Sequence, residues 1–158
     1  MPSSIQAPLL ENLKSTIPDI SHGAVYTRPW VAEVILDLAG YTADKNIVDS
    51  LAIEPAAGDG VFITKMAERL IASCKRQGRH VLDCKDSIRA YELNSETTDY
   101  ARKVTKQNLV ALGVSSSIAT QLINNWIETK DYLKQFDVTL ENNQYPDKKL
   151  GGEGSDES

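Results

Sequence analysis

Acidic side chains follow short apolar runs along the chain, where they could bind a polar ligand. Glu54, Glu92 and Asp131 each stand at the end of a run typical of a buried strand. A fourth run is followed by Glu141 and Asn142. In open α/β sheets, ligands bind at the carboxyl ends of the strands. The pattern therefore predicts one cleft lined by polar side chains from four strand ends.

These acids suit the parts of a nucleoside, although each also has an ordinary structural alternative. A carboxylate at the position of Glu92 can accept hydrogen bonds from both ribose hydroxyls, or it can be a solvated charge at a strand end. Asp131 could accept a hydrogen bond from an adenine amino group, or it could be a turn residue. The residue pattern alone leaves both alternatives open.

A glycine-rich loop, Gly58-Asp-Gly60, lies between the first apolar run and a helical pattern. Glycines there permit positive φ and close approach of a ligand to the backbone, or simply a tight turn. A dinucleotide fingerprint needs a third glycine where Ile63 stands, and a Walker loop needs Gly-Lys-Ser/Thr, which the sequence lacks. Nicotinamide and nucleoside triphosphatase functions are therefore disfavoured.

Other chemistries find little support in the sequence. It contains two histidines and no Gly-x-Ser-x-Gly elbow, which disfavours hydrolytic triads. His80 and Cys84 are four residues apart but have no further ligand nearby, so no metal site is expected. Cys74 and Cys84 do not form a CxxC pair and are expected to be reduced thiols.

Apolar periodicity predicts helices that alternate with the strands, which is typical of a parallel α/β sheet. About four strands are expected, at Leu51–Ile53, Ser87–Tyr91, Trp126–Asp131 and Phe136–Leu140. Four helices are expected: one with Trp30, Val31, Val34, Ile35 and Leu38 after Pro29; one with Phe62, Ile63, Met66, Ala67, Leu70 and Ile71 ending at Gly78; one capped by Ser95 with Tyr100, Ala101, Val104, Leu109 and Leu112; and one capped by Ser115 or Ser116 with Leu122 and Ile123.

The composition is that of one globular domain. The chain has 158 residues, of which 41% are hydrophobic and 25% are charged. Its net charge of −5 makes it a poor candidate for holding DNA phosphates by itself, although another segment could supply that contact. Neither a secretory signal nor a membrane-spanning run is recognisable, so a cytoplasmic location is expected.

Four segments of the sequence stand in a characteristic order. They are Gly23-Ala-Val-Tyr-Thr-Arg-Pro-Trp-Val31, Glu54-Pro-Ala-Ala-Gly-Asp-Gly-Val-Phe62, Ala90-Tyr-Glu-Leu-Asn94 and Ile127-Glu-Thr-Lys-Asp-Tyr-Leu133. Together they resemble motifs of the S-adenosylmethionine-dependent DNA adenine N6-methyltransferases of restriction–modification systems. The resemblance implies a mostly parallel, Rossmann-like methyltransferase sheet of about four strands, truncated, with helices on both faces.

The resemblance also implies which residues bind S-adenosylmethionine. Tyr26, Thr27 and Pro29 would line its methionine end; Glu54, Ala56, Gly58 and Gly60 would hold the methionine and sugar portions; Glu92 would bind the ribose, Asp131 the adenine amino group, and Tyr132 or Leu133 would flank the ring.

The catalytic motif departs from the family pattern of Asn or Asp, two prolines and an aromatic residue. Asn142 and Tyr145 match its ends, but Asn143 and Gln144 replace the prolines. The family motif binds a target base that is flipped out of the duplex. Proline fixes φ and lacks a donor, whereas Asn and Gln do neither. The hydrogen-bond acceptors would be less preorganised, so little activity is expected from this chain alone.

The domain organisation follows from these assignments. Residues 1–22 are expected to be a helical extension, 23–140 an incomplete S-adenosylmethionine-binding domain, and 141–158 a degenerate catalytic loop with a disordered acidic tail. DNA would be bound through a missing or separate recognition region, with a complementing subunit or cognate restriction enzyme as a further partner. The alternatives are a non-catalytic S-adenosylmethionine-binding or interaction module, and a methyltransferase that acts on RNA, protein or a small molecule.

Overall fold

A three-stranded parallel sheet lies at the centre of the structure, a computed structural model that describes residues 27–134. Its strands, in spatial order, are β1 (Ala52–Glu54), β2 (Ile88–Glu92) and β3 (Ile127–Thr129). Ala90 on the central strand lies opposite Glu54 on one side and Ile127 on the other. The predicted parallel α/β fold is confirmed. Both β1 and β2 lie one residue further along the chain than predicted.

Helices connect and flank the strands. They are α1 (Pro29–Leu38), α2 (Val61–Arg76), a short 3₁₀ helix (Val81–Asp86), α3 (Ser95–Ala111) and α4 (Ser116–Trp126). Between residues 27 and 134, none of these helices is long and apolar enough to cross a membrane. The expected extension at 1–22, the fourth strand at 136–140 and the tail at 141–158 lie outside the described residues.

One face of the sheet packs against the helices and forms the core. Ile88, Ala90 and Ile127 share this face and are buried with side chains from α2, α3 and α4. Side chains alternate between the two faces of a sheet. Ile53 and Glu128 therefore point to the opposite face, where both are exposed.

Trp126 is the last residue of α4 and not the start of the third strand, as the sequence had predicted. Its ring is fully buried, and its indole Nε1–H donates to the Cys84 carbonyl at 3.0 Å. A buried indole needs this partner, and α4 places it within reach. Cys74 and Cys84 are free and buried, and burial raises the pKa of the Cys84 thiol.

Helix α1 buries a different face from the one predicted. Ala32 and Leu36 point into the protein, whereas Trp30 is 62% and Leu38 83% exposed, and Val34 and Ile35 are also exposed. The reason is tertiary, because acidic side chains of α1 form ion pairs with basic side chains of α2. These pairs lie beside the buried face, on the side of α1 that meets α2.

The cap of α3 is Asn94 and not the predicted Ser95, which is the first residue of the helix. The Asn94 Oδ1 accepts a hydrogen bond from the Thr97 N–H at 3.0 Å. Asn and Ser are about equally good caps, so the sequence did not distinguish neighbouring positions. Ser115 does cap α4, as predicted, by accepting from the Ile118 N–H.

The buried face of α3 is also rotated from the expected one. Thr98 and Thr105 are fully buried, whereas Tyr100 and Val104 are half-buried. The Thr98 hydroxyl donates to the Asn94 carbonyl at 2.9 Å. Because this bond satisfies the hydroxyl within the helix, a threonine can occupy a core position that apolar periodicity does not reveal.

Gly60, at the start of α2, gives a prediction for stability. It has a φ of 86°, and a Cβ at this position would lie 3.1 Å from the Cα of Ala101 on α3. We expect Gly60→Ala to lower the free energy of unfolding by about 2–4 kcal/mol, from left-handed strain and overpacking. Urea denaturation measures this change.

Gly113→Ala is the matched control. Gly113 has a φ of 88°, but no atom lies within 4 Å of its Cβ position. Only the conformational cost of about 1–2 kcal/mol is expected there. Equal losses in the two variants would contradict the close packing assigned to Gly60.

Candidate functional site

Glu92 joins the segments that follow all three strands. Its carboxylate accepts hydrogen bonds from the Gly58 N–H and the Asn94 N–H, both at 3.0 Å. Its backbone carbonyl accepts from the Lys130 N–H at 2.9 Å. One residue at the end of β2 therefore fixes the loops after β1, β2 and β3 around the carboxyl edge of the sheet.

The Glu92 carboxylate keeps capacity for a ligand. Gly58 bonds to Oε2 and Asn94 to Oε1, so each oxygen has one of these backbone partners. An ionised carboxylate offers about four acceptor sites in total. The arrangement can therefore accept two further hydrogen bonds, one on each oxygen, as two neighbouring hydroxyls would require.

The loop after β1 presents its backbone to open space at Gly58. The Ala57 N–H donates to the Tyr91 carbonyl at 2.8 Å, which fixes the loop to β2. Gly58 has a φ of 52°, and the atom nearest to its Cβ position is the Ala56 carbonyl oxygen at 3.9 Å. A ligand can therefore approach Gly58 closely. At Gly60, by contrast, close packing against α3 leaves no room for a Cβ.

Two acids in this region are partly desolvated. The Glu54 Oε1 accepts from the Ala56 N–H at 2.9 Å, and the Asp59 Oδ1 accepts from the Val61 N–H at 3.3 Å. Burial raises the pKa of Glu54 and that of Asp59 above their ordinary values. A cationic ligand would offset this burial cost, so the loop favours a positively charged group.

Asp131 stabilises a turn, which is the second of the two roles that its sequence position suggested. Its Oδ1 accepts from the Leu133 N–H at 3.0 Å, and the Lys134 Nζ lies 3.8 Å from its Oδ2. A short polar side chain commonly stabilises a turn in this way. Within residues 27–134 no backbone N–H donates to Oδ2, and the role of Asp131 in ligand binding stays a prediction.

Tyr132 packs against an aromatic residue that sequence reasoning had missed. Its ring centroid lies 5.2 Å from that of Tyr91, and the two rings are tilted by 38°. Such tilted pairs are favourable arrangements of aromatic rings. The available signal for Tyr91 was its position directly before Glu92, which places it at the same strand end.

The remaining predicted site residues lie at the start of α1 or outside the described part of the chain. Pro29 is the first residue of α1, where its missing N–H costs nothing, and Thr27 lies just before it. Helix α1 packs on α2, which follows the glycine loop directly. Tyr26, Asn142 and Tyr145 lie outside the described residues.

A cavity of about 280 Å³ lies near the C-terminal end of α2, away from the glycine loop. Its lining includes Lys45, Ser73 and Gln77. The Ser73 hydroxyl donates to the Lys45 carbonyl and accepts from the Gln77 amide. These hydrogen bonds join α2 to the segment before β1 and therefore have a structural role. Within residues 27–134, no group of three or more His, Cys, Asp or Glu side chains could hold a metal ion.

The raised pKa of Glu54 predicts a pH-dependent effect of Glu54→Gln. The native state holds the Glu54 proton more tightly than the unfolded chain, so wild-type stability falls as pH rises from about 4 through the folded pKa. Glutamine keeps an acceptor for the Ala56 N–H without the charge. We expect the variant to exceed the wild type in free energy of unfolding at pH 7 and to match it at pH 4.

Urea denaturation at both pH values checks this expectation. Glu96→Gln, at an exposed position in the first turn of α3, is the control and should show no such gain. A variant of Glu54 that is less stable than the wild type at pH 7 would contradict the desolvation of its carboxylate.

Sequence comparison relates the chain to three type II methyltransferases. It is 38% identical over 127 residues to M.BstVI of Geobacillus stearothermophilus, which covers 76% of this chain and 22% of the relative. It is 36% identical over 121 residues to M.XhoI of Xanthomonas vasicola, covering 74% and 22%. It is 34% identical over 133 residues to M.PaeR7I of Pseudomonas aeruginosa, covering 79% and 23%.

The chain thus spans less than a quarter of the length of these curated relatives. No protein-family model matches it, and no solved structure matches it. The similarity to three methyltransferases over about three quarters of the chain agrees with the motif order in its sequence. The chain is therefore similar to a part of the type II methyltransferases over about three quarters of its own length.

Proposed function

We propose that this chain is the cofactor-binding part of a DNA adenine N6-methyltransferase, which transfers a methyl group from S-adenosylmethionine to N6 of adenine. The observation that carries the proposal is the Glu92 carboxylate, held by the Gly58 and Asn94 N–H groups with acceptor capacity to spare. The similarity of the chain to type II methyltransferases also supports methyl transfer as the reaction. The protein would act on DNA in the cytoplasm.

The donor and acceptor set at the sheet edge fits S-adenosylmethionine. Glu92 would accept from the two ribose hydroxyls, and Asp131 from the adenine amino group beside the Tyr132 ring. Gly58 and Ala56 would present backbone to the methionine portion, where the partly desolvated Glu54 suits a positive charge. The cofactor supplies a methyl group on a positively charged sulfur.

The chain's own residues orient the cofactor. The hydrogen bonds to Glu92 fix the direction of its carboxylate before any ligand binds, which lowers the entropic cost of binding. Because Gly58 lacks a side chain, its backbone can lie against the ligand. Glu92 would hold the ribose and Gly58 the methionine portion, and these two residues are themselves joined by a hydrogen bond.

The target adenine would be bound by Asn142 and Tyr145, which match the ends of the family's catalytic motif. The Asn142 side-chain oxygen would accept from the adenine amino group, and the Tyr145 ring would stack on the flipped base. Transfer then depends on alignment of the amino nitrogen with the methyl group. Asn143 and Gln144 replace the rigid prolines of the motif, so we propose that this alignment is poor.

A non-catalytic S-adenosylmethionine-binding or interaction module is the second candidate. The replaced prolines favour it, because they affect the catalytic loop and leave the cofactor residues intact. With a net charge of −5, the chain would reach DNA through a recognition region or complementing subunit. Cofactor binding without methyl transfer, even beside such a subunit, would favour this candidate.

Substitution of Glu92 tests the cofactor site. We expect Glu92→Ala to abolish S-adenosylmethionine binding, and Glu92→Gln to weaken it by about 10- to 100-fold, because charge-assisted hydrogen bonds are lost. Isothermal titration calorimetry of the 158-residue chain measures both affinities. Glu96→Ala, an exposed acid on the next helix, is the control and should bind normally. Wild-type binding that survives Glu92→Ala would refute the assigned role.

A methyl-transfer assay tests the catalytic part of the proposal. With radiolabelled S-adenosylmethionine and unmethylated DNA, we expect the chain alone to show little or no turnover. Misplacement by about 1 Å can cost on the order of 100-fold in rate. Full-length M.XhoI is a suitable positive control. Robust turnover by the isolated chain would show that Asn143 and Gln144 preserve a working catalytic loop.

A further inference from the structure

Two basic residues of α2 hold α1 through matching acids. The Lys65 Nζ lies 3.0 Å from the Glu33 Oε1, and the Arg69 Nη1 lies 2.7 Å from the Asp37 Oδ1. Lys65 and Arg69 are four residues apart, as are Glu33 and Asp37, so each pair of residues shares one helix face. The two ion pairs thus lie one helical turn apart between the two helices. We call the Lys65–Glu33 and Arg69–Asp37 pairs together the α1–α2 clamp.

Arg69 also binds two backbone carbonyls, one within α1 and one just after it. Its Nη1 donates to the Tyr41 carbonyl at 2.9 Å and its Nη2 to the Glu33 carbonyl at 3.0 Å. The side chain is only 17% exposed. A cation near the C-terminus of a helix is favourable because it meets the negative end of the helix dipole. Arg69 therefore fixes the position of α1 through its backbone as well as through Asp37.

The apolar attachment of α1 is small, which makes the clamp important. Only Ala32 and Leu36 of this helix are buried. The larger side chains of Trp30 and Leu38 are mostly exposed. Without the clamp, α1 would be held to the described part of the protein mainly by two aliphatic side chains.

We propose that Lys65 and Arg69 are positioning residues for the methionine end of S-adenosylmethionine. Helix α2 begins at the glycine loop and carries the clamp one and two turns further along. The clamp therefore sets α1, with Thr27 and Pro29 at its start, at a fixed place relative to Gly58. This inference rests on the proposed function and on the contact of Thr27 and Pro29 with the methionine portion that the family resemblance implies.

Calorimetry with two probes tests the proposal on the 158-residue chain. S-adenosylmethionine contains the methionine portion, whereas adenosine contains only the part assigned to Glu92 and Asp131. We expect Arg69→Ala to weaken S-adenosylmethionine binding about tenfold while adenosine binding changes by less than about twofold, because only the methionine contact is displaced. Asp37→Asn should act in the same direction. Since the Asp37 side chain is 64% exposed, this second variant keeps the fold intact.

Arg79→Ala is the matched control. Arg79 also pairs with two acids, Asp49 and Asp83, but it does not contact α1. Binding of both probes should be unchanged in this variant. Equal weakening of both probes by Arg69→Ala would indicate a general structural role, and unchanged affinity for both would remove any role; either result overturns the proposal.

Hydrogen exchange provides a readout that needs no ligand. We expect Arg69→Ala and Asp37→Asn to accelerate exchange of the α1 amides around Leu36, while α3 amides keep their wild-type rates. Unchanged exchange in α1 would show that the clamp does not hold the helix. If the wild-type chain binds neither probe, the proposed function fails, and the exchange rates still decide separately whether the clamp exists.

Discussion

The hydrogen-bonded junction at Glu92 is the constraint on which the candidate site depends. Its carboxylate accepts from the loop after β1 and from the loop after β2, and its carbonyl accepts from the segment after β3. Parallel strands bring their carboxyl ends to one edge, but they do not fix the loops beyond that edge. A carboxylate makes stronger hydrogen bonds than a neutral acceptor, so the Glu92 side chain organises the loops after β1 and β2 and still offers acceptor sites to a ligand, while its backbone carbonyl holds the segment after β3.

Helix α2 connects this junction to the rest of the described chain. Gly60 immediately precedes it, and the missing side chain of Gly60 leaves room for Ala101 of α3; Lys65 and Arg69 of the helix form ion pairs with α1. The glycine loop therefore combines a structural glycine with an open one at Gly58. This division explains how a short loop can be both tightly packed at Gly60 and open to a ligand at Gly58.

Local patterns in the sequence were sufficient to predict the order and type of the described strands and α-helices. Short apolar runs and helical periodicity predicted four strands and four helices; three strands and the four helices lie within the described residues, with β1 and β2 shifted by one residue, and the fourth strand lies outside them. The acids Glu54 and Glu92 were correctly expected at strand ends, and Ser115 as a helix cap. These features depend on residues within a few positions of each other, where propensity and alternation act. The order of the four motifs indicated the similarity to type II methyltransferases that sequence comparison then showed.

The sequence by itself thus determined the parallel α/β fold, the strand ends at which Glu54 and Glu92 lie, and the similarity to type II methyltransferases. Only the tertiary structure decided which face of α1 is buried, because Lys65 and Arg69 lie about 30 residues from the acids they bind. It also decided that Glu92 binds the Gly58 N–H, 34 residues away, and that Tyr91 packs on Tyr132. Contacts between distant segments leave no periodic signal, since each partner alone resembles an ordinary surface residue.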